Sequence, residues 1–203
     1  MNDALNALRS KVGSETDAAQ RALDESLEFA VGPRKTKSVA ELLAEFAVAP
    51  KAPGLTVAPP RDENAIEAGR RTFYHPNGAG CFKCHRVVGR GGQIGPDLTV
   101  IARTMDRKKL AESILEPGKE ISPQFTTWAI ETKDGKTLTG LLLGEEVNGD
   151  LRMGSNLGDI FRVPFRDIEA RTPLKTSIMP DKLHELLTHA EFSNLLAFLE
   201  SLK

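Results

Sequence analysis

The pentapeptide Cys81-Phe82-Lys83-Cys84-His85 constrains this chain more than any other stretch, because it contains both cysteines of the 203 residues. Two thiols three positions apart, with an imidazole directly after the second, have the spacing of a c-type haem attachment site. On a helical turn, positions i and i+3 share a face. Cys81 and Cys84 can therefore each form a thioether along one porphyrin edge, while His85 offers a ring nitrogen to the iron as proximal ligand.

A pair of cysteines has other uses, and the residues weigh against them. With no further cysteine, a four-cysteine zinc site is excluded. A Cys2His2 site would need His184 and His189, which lie far along the chain and, five positions apart, on different helix faces. A redox dithiol needs no adjacent histidine and usually accompanies a βαβ pattern, which the sequence lacks. The pentapeptide thus favours haem, with a zinc-binding or redox dithiol module as the rival.

The length suits one large or two small domains. A net charge of -1, with one Trp and one Tyr, gives no basis for nucleic-acid binding. No apolar run is long enough for a membrane span. The first residues lack the basic and apolar regions of a signal peptide. Because haem c is attached outside the cytoplasm, the sequence is expected to be a fragment or processed form of a periplasmic or otherwise exported protein.

Along the chain, residues 1–48 read as a short helical module. Leu5, Leu8 and Val12 make one thin stripe, Leu23 and Leu27 another, and Ser38 with Glu41 a capping box ahead of Leu42, Leu43 and Phe46. Pro50, Pro53, Pro59 and Pro60 mark residues 49–61 as a stiff linker. From residue 62 the pattern changes. Ile66, Gly69 and Phe73 form a helix face, and Thr188 with Glu191 caps a last helix striped by Phe192, Leu195, Phe198, Leu199 and Leu202. These two helices are expected to cross at Gly69, where no side chain intervenes. Residues 108–115 read as another helix, stopped by Pro117.

Several of these motifs recur together in one family. The Gly69/Phe73 helix, Cys81 to His85, Gly95-Pro96-Asp97-Leu98, Met179-Pro180 and the terminal helix resemble a class I monohaem cytochrome c. More narrowly, Gly95 to Thr99, the Ile114 to Pro117 run, the strand-rich stretch Phe125 to Ile168 and Ser177 to Pro180 resemble the haem-binding domain of the Pirellula/Verrucomicrobium type, with Phe125 where that family more often has Tyr. The resemblance covers residues 62–203. It implies a mainly α fold, the class I cytochrome helical fold, with a small antiparallel β meander inserted at about 125–168. It also implies that the Pro96 carbonyl orients the proximal histidine, that Leu98 lines a haem face and that Met179 is the sixth ligand.

The meander also follows from the residues, since 126–132 and 137–143 alternate across Lys133-Asp134-Gly135-Lys136, and Asn148-Gly149 marks a second turn. It could cover a haem edge, provide a docking face or lengthen a loop, and the residues do not rank these. For the sixth ligand, Met179 is favoured over Met105, Met153, His75, His184 and His189, because Pro180 restrains a loop that must aim a thioether. Filled His/Met coordination suits one-electron transfer. The expected function is a non-enzymatic electron carrier with one covalent haem c, accepting from an exported dehydrogenase. The alternative is a haem enzyme or gas-binding haem with a labile sixth site. Residues 61–110 carry ten Lys or Arg against five acids, so a positive rim facing an acidic redox partner is also expected.

Overall fold

A computed structural model describes residues 37–47 and 62–203. The stripes expected between Leu5 and Leu27, and the linker at 49–61, lie outside the described residues. Five α-helices are described: α1 (Val39–Phe46), α2 (Glu63–Tyr74), the single turn α3 (Cys81–Cys84), α4 (Arg107–Leu115) and α5 (His189–Ser201).

Each longer helix begins and ends where local chemistry dictates. The Asp62 carboxylate accepts from the backbone N–H groups of Asn64 and Ala65, opening α2. Pro76 holds His75 in an extended conformation and ends that helix. Asp106 caps α4, accepting from the Lys109 N–H at 2.8 Å. Thr188 and Glu191 form a reciprocal capping box on α5.

The main helix contact is α2 against α5. It centres on Gly69, where a Cβ would lie 1.9 Å from the Asn194 carbonyl oxygen, so nothing larger than hydrogen fits at the crossing. Phe73, Phe192, Leu195, Phe198 and Leu199 bury their side chains here, joined by Leu110 and Leu115 of α4. Helix α1 belongs to the same compact unit, Val39–Lys203. Phe46 packs between the rings of His189 and Phe192, each with its centroid 4.6 Å away. Arg107, only 7 % exposed, donates to the Phe46 carbonyl, the Glu200 carboxylate and the Ser193 hydroxyl, tying α1, α4 and α5 together. No helix among the described residues is long and apolar enough to cross a membrane.

The fold is mixed α and β, which corrects the mainly α architecture expected of a class I cytochrome c. Beyond a two-strand hairpin, β1 (Arg86–Val87) and β2 (Arg90–Gly91), the chain forms a five-stranded antiparallel sheet. Its strands are β3 (Thr127–Thr132), β4 (Thr137–Glu145), β5 (Leu151–Gly154), β6 (Ile160–Val163) and β7 (Ile168–Pro173), in the order β6-β5-β4-β3-β7. Turns at Gly135 and Gly149, both at positive φ, join β3 to β4 and β4 to β5. The sheet has its own core of Ile130, Leu151, Met153 and Val163, with Trp128 and Phe161 packed against it.

The expected insertion was too small because β7 lies past its expected end. The strand returns along β3, pairing Ala129 with Thr172 and Glu131 with Ala170. As an edge strand that buries no residue fully, β7 carries Glu169, Arg171 and Pro173 and shows no alternation to read. What reads as an inserted meander is a second layer with a separate hydrophobic core.

Candidate functional site

The pentapeptide is built by a sharp entry and a short turn. Gly80 stands at φ 65°, ψ 28° and starts α3. The His85 N–H then donates to the Cys81 carbonyl at 2.9 Å and closes the turn. Cys81 and Cys84 are free thiols one helical turn apart. Burial pushes the Cys81 thiol up to about 11. Burial also raises that of Cys84, and the Lys83 ammonium partly offsets this.

After His85 the chain folds back over the turn. The N–H groups of Ile94 and Gly95 both donate to the Cys84 carbonyl, at 3.1 and 2.9 Å. Gly95 then lies flat against the imidazole, where a Cβ would come within 2.7 Å of Cε1. This places the Pro96 carbonyl oxygen 3.0 Å from His85 Nδ1. Burial lowers the His85 pKa, and the bond to Pro96 acts in the opposite direction. The ring is therefore favoured neutral.

His85 looks into an apolar cleft with about 390 Å³ of space not filled by protein atoms, part of it open to solvent. Cys81, Leu98 and Met179 line the same cleft, with Phe73 of α2 and Leu195 and Leu199 of α5 among its walls. Met179 reaches it from a loop in which its own N–H donates to Ser177 Oγ at 3.1 Å. Cys84 and Pro96 do not line the cleft: Cys84 stands half-buried beside it, and Pro96 acts on His85 from behind.

The other sixth-ligand residues are elsewhere. Met153 is 0 % exposed in the sheet core, and Met105 packs against the helical core. His75 accepts from the Asn77 N–H, and His189 pairs with Glu45. His184 has a buried Nδ1 with no hydrogen-bond partner and does not line the cleft, although Leu183 and Leu187 on either side of it do. Those two leucines, with Ile114 and Ala79, were missed as lining residues in the sequence. Leu183 opens a single 3-10 turn and Leu187 follows it in extended conformation, so no helical spacing signalled them.

The basic rim is thinner than the count of charges implies. Arg70 and Arg71 face Glu67, Lys109 reaches Glu112 and Glu120, and Arg107 is buried against Glu200. Near the pentapeptide, Lys83 is exposed and the Arg90 guanidinium lies 4.9 Å from the Tyr74 ring centroid.

Comparison with protein-family models and with curated proteins gives no match. The donor set therefore has to speak for itself. One imidazole and one thioether line an apolar cleft with a thiol at its wall, while among the described residues no three or more of His, Cys, Asp and Glu gather as a metal cage would require. Such a set fits a flat, largely apolar prosthetic group held at its edge and at its metal.

Proposed function

We propose that this chain is a c-type cytochrome that carries single electrons on one covalently held haem. The observation that carries this reading is the convergence of Cys81, His85, Leu98 and Met179, from three separate segments, on one apolar cleft. The haem would supply a one-electron iron couple. Cys81 and Cys84 would hold its edge through thioethers. The Pro96 carbonyl keeps hydrogen on His85 Nδ1, so that Nε2 is the nitrogen available to iron, and it strengthens the ring as a donor. Met179 would be the second residue to hold the iron, and thioether ligation raises the reduction potential relative to a second imidazole. Phe73, Leu98 and Leu195 give the cleft an apolar wall, which would limit water around the group. In this reading the protein is exported and exchanges electrons with a redox partner, a dehydrogenase serving as donor.

The test is production of the full chain in a bacterial periplasm with haem c maturation, followed by denaturing extraction and intact-mass measurement. One haem retained per chain, and none in the Cys81→Ala/Cys84→Ala double variant, is the expected result. Colour that survives extraction in the double variant, or no haem where a control cytochrome is matured, would overturn the assignment.

A further inference from the structure

The turn joining β5 and β6 is stiff and presses on the pentapeptide. Ser155 and Asp159 close it with a 2.8 Å backbone hydrogen bond, and Ser155 Oγ accepts from the N–H groups of Leu157 and Asp159. At its tip, Gly158 (φ +96°) sits on Lys83, so that a Cβ there would lie 2.7 Å from Lys83 Cβ and 3.1 Å from the Lys83 carbonyl oxygen. At the end of β5, Gly154 faces Ile94, with a Cβ position 2.7 Å from Ile94 Cγ1. Ile94 is 1 % exposed, and its N–H is one of the two that hold the Cys84 carbonyl. The sheet thus touches the turn by two routes, directly at Lys83 and through Ile94 at Cys84.

The opposite side of the sheet leads to Met179. As the chain leaves β7, the Leu174 N–H donates to the Thr127 carbonyl of β3 at 2.8 Å, anchoring the start of the loop that carries Ser177 and Met179. The segment that supplies His85 and the start of the loop that supplies Met179 are therefore both in contact with the same five-stranded sheet. Side chains held on regular elements keep their geometry better than those on free loops, and packing behind a ligand decides where it points.

We infer that the five-stranded sheet is a brace that sets the His85 turn and the Met179 loop relative to each other, with Gly158, Gly154 and Ile94 as its positioning residues. The contact with the Cys81–His85 turn stands on the packing alone. Its consequence for the iron rests on the cytochrome reading above. Cys81 and Cys84 report on the brace without haem, because a loosened turn exposes their thiols.

Gly135 provides the control. It lies in the β3–β4 turn at φ +80° with nothing within 4 Å, so Gly135→Ala carries the backbone strain of Gly158→Ala without its collision. In the haem-free full chain, iodoacetamide should alkylate Cys81 and Cys84 about tenfold faster in Gly158→Ala than in Gly135→Ala, as expected when one local unit opens. In the haem-loaded chain, imidazole should displace the native sixth ligand at about a tenfold lower concentration in Gly158→Ala than in Gly135→Ala. If Gly158→Ala does not fold, Ile94→Val takes its place, since it removes a methyl group from the contact with Gly154. Equal alkylation in the two variants overturns the brace. Faster alkylation with unchanged imidazole displacement overturns its extension to the ligand pair. Faster alkylation in a chain that takes up no haem upholds the brace on the turn and sinks the cytochrome reading instead.

Discussion

The Pro96 carbonyl oxygen lies 3.0 Å from Nδ1 of His85, and because a carbonyl only accepts, that ring nitrogen carries the hydrogen. The lone pair of the imidazole is thereby assigned to Nε2. Gly95 makes this possible by leaving the ring face clear. Gly95→Ala should push the ring off Pro96, and nitrogen NMR of the haem-free chain should show the single His85 tautomer replaced by a mixture. An unchanged tautomer in that variant would show that Pro96 does not hold the ring.

The three internal methionines should separate by function. Met179→Ala should leave folding nearly intact and give the haem-loaded protein a sixth site open to imidazole or cyanide, read by visible spectroscopy. Met153→Ala, in a fully buried position, should cost about 3 kcal/mol in urea unfolding without opening such a site. Ligand binding gained in Met153→Ala or Met105→Ala instead of Met179→Ala would exclude Met179 as the ligand.

The cysteines of the haem-free chain should differ in reactivity. With the Cys81 thiol pushed up to about 11 from 9.0, its thiolate near pH 8 should be scarcer than that of an ordinary thiol by about a hundredfold. Cys84 is shifted in the same direction with Lys83 opposing, so it should be alkylated first. The sign for stability follows. Folded Cys81 keeps its proton at pH values where the unfolded thiol has lost it, so its contribution is intact below pH 9.0 and is lost as pH rises towards 11. Peptide mass spectrometry during alkylation, and urea midpoints between pH 8 and 11, check both statements.

Arg107 should be the most costly single charge to remove. Truncation to alanine strips partners from the Phe46 carbonyl and from the part-exposed Glu200 at once, and leaving the buried carbonyl unpaired costs about 1–3 kcal/mol. Urea unfolding should show that loss, and limited proteolysis should cleave near α1 first. A variant as stable as the parent, with α1 still protected, would show that the clamp contributes nothing to docking.

Much of the helical half was legible because its determinants are local or depend on the absence of a side chain. Thr188 and Glu191 sit three positions apart and announce their own capping box, Pro76 and Pro117 forbid continuation of the helices before them, and Gly69 advertises a close crossing. The turns at Gly135 and Gly149 were legible for the same reason, since the backbone there needs a residue tolerant of positive φ.

By itself, then, the sequence determined the local chemistry: two thiols and an imidazole on one turn, the helix ends, and the tight turns. Tertiary structure alone decided which distant groups meet. Pro180 marks the Met179 loop in the sequence, but nothing local shows that this loop, rather than Met105 or Met153, reaches the cleft beside His85. Packing decides it: Met179 lines the cleft with Phe73 of α2 and Leu195 and Leu199 of α5, whereas Met153 is buried in the sheet core. Nor could alternation reveal β7, whose partner β3 lies some forty residues earlier and whose own residues are edge-exposed. The contact of Gly158 with Lys83 is of the same kind. A glycine in a hairpin turn is read as backbone freedom, and only the packed layers show that its missing side chain makes room for the Cys81–His85 turn.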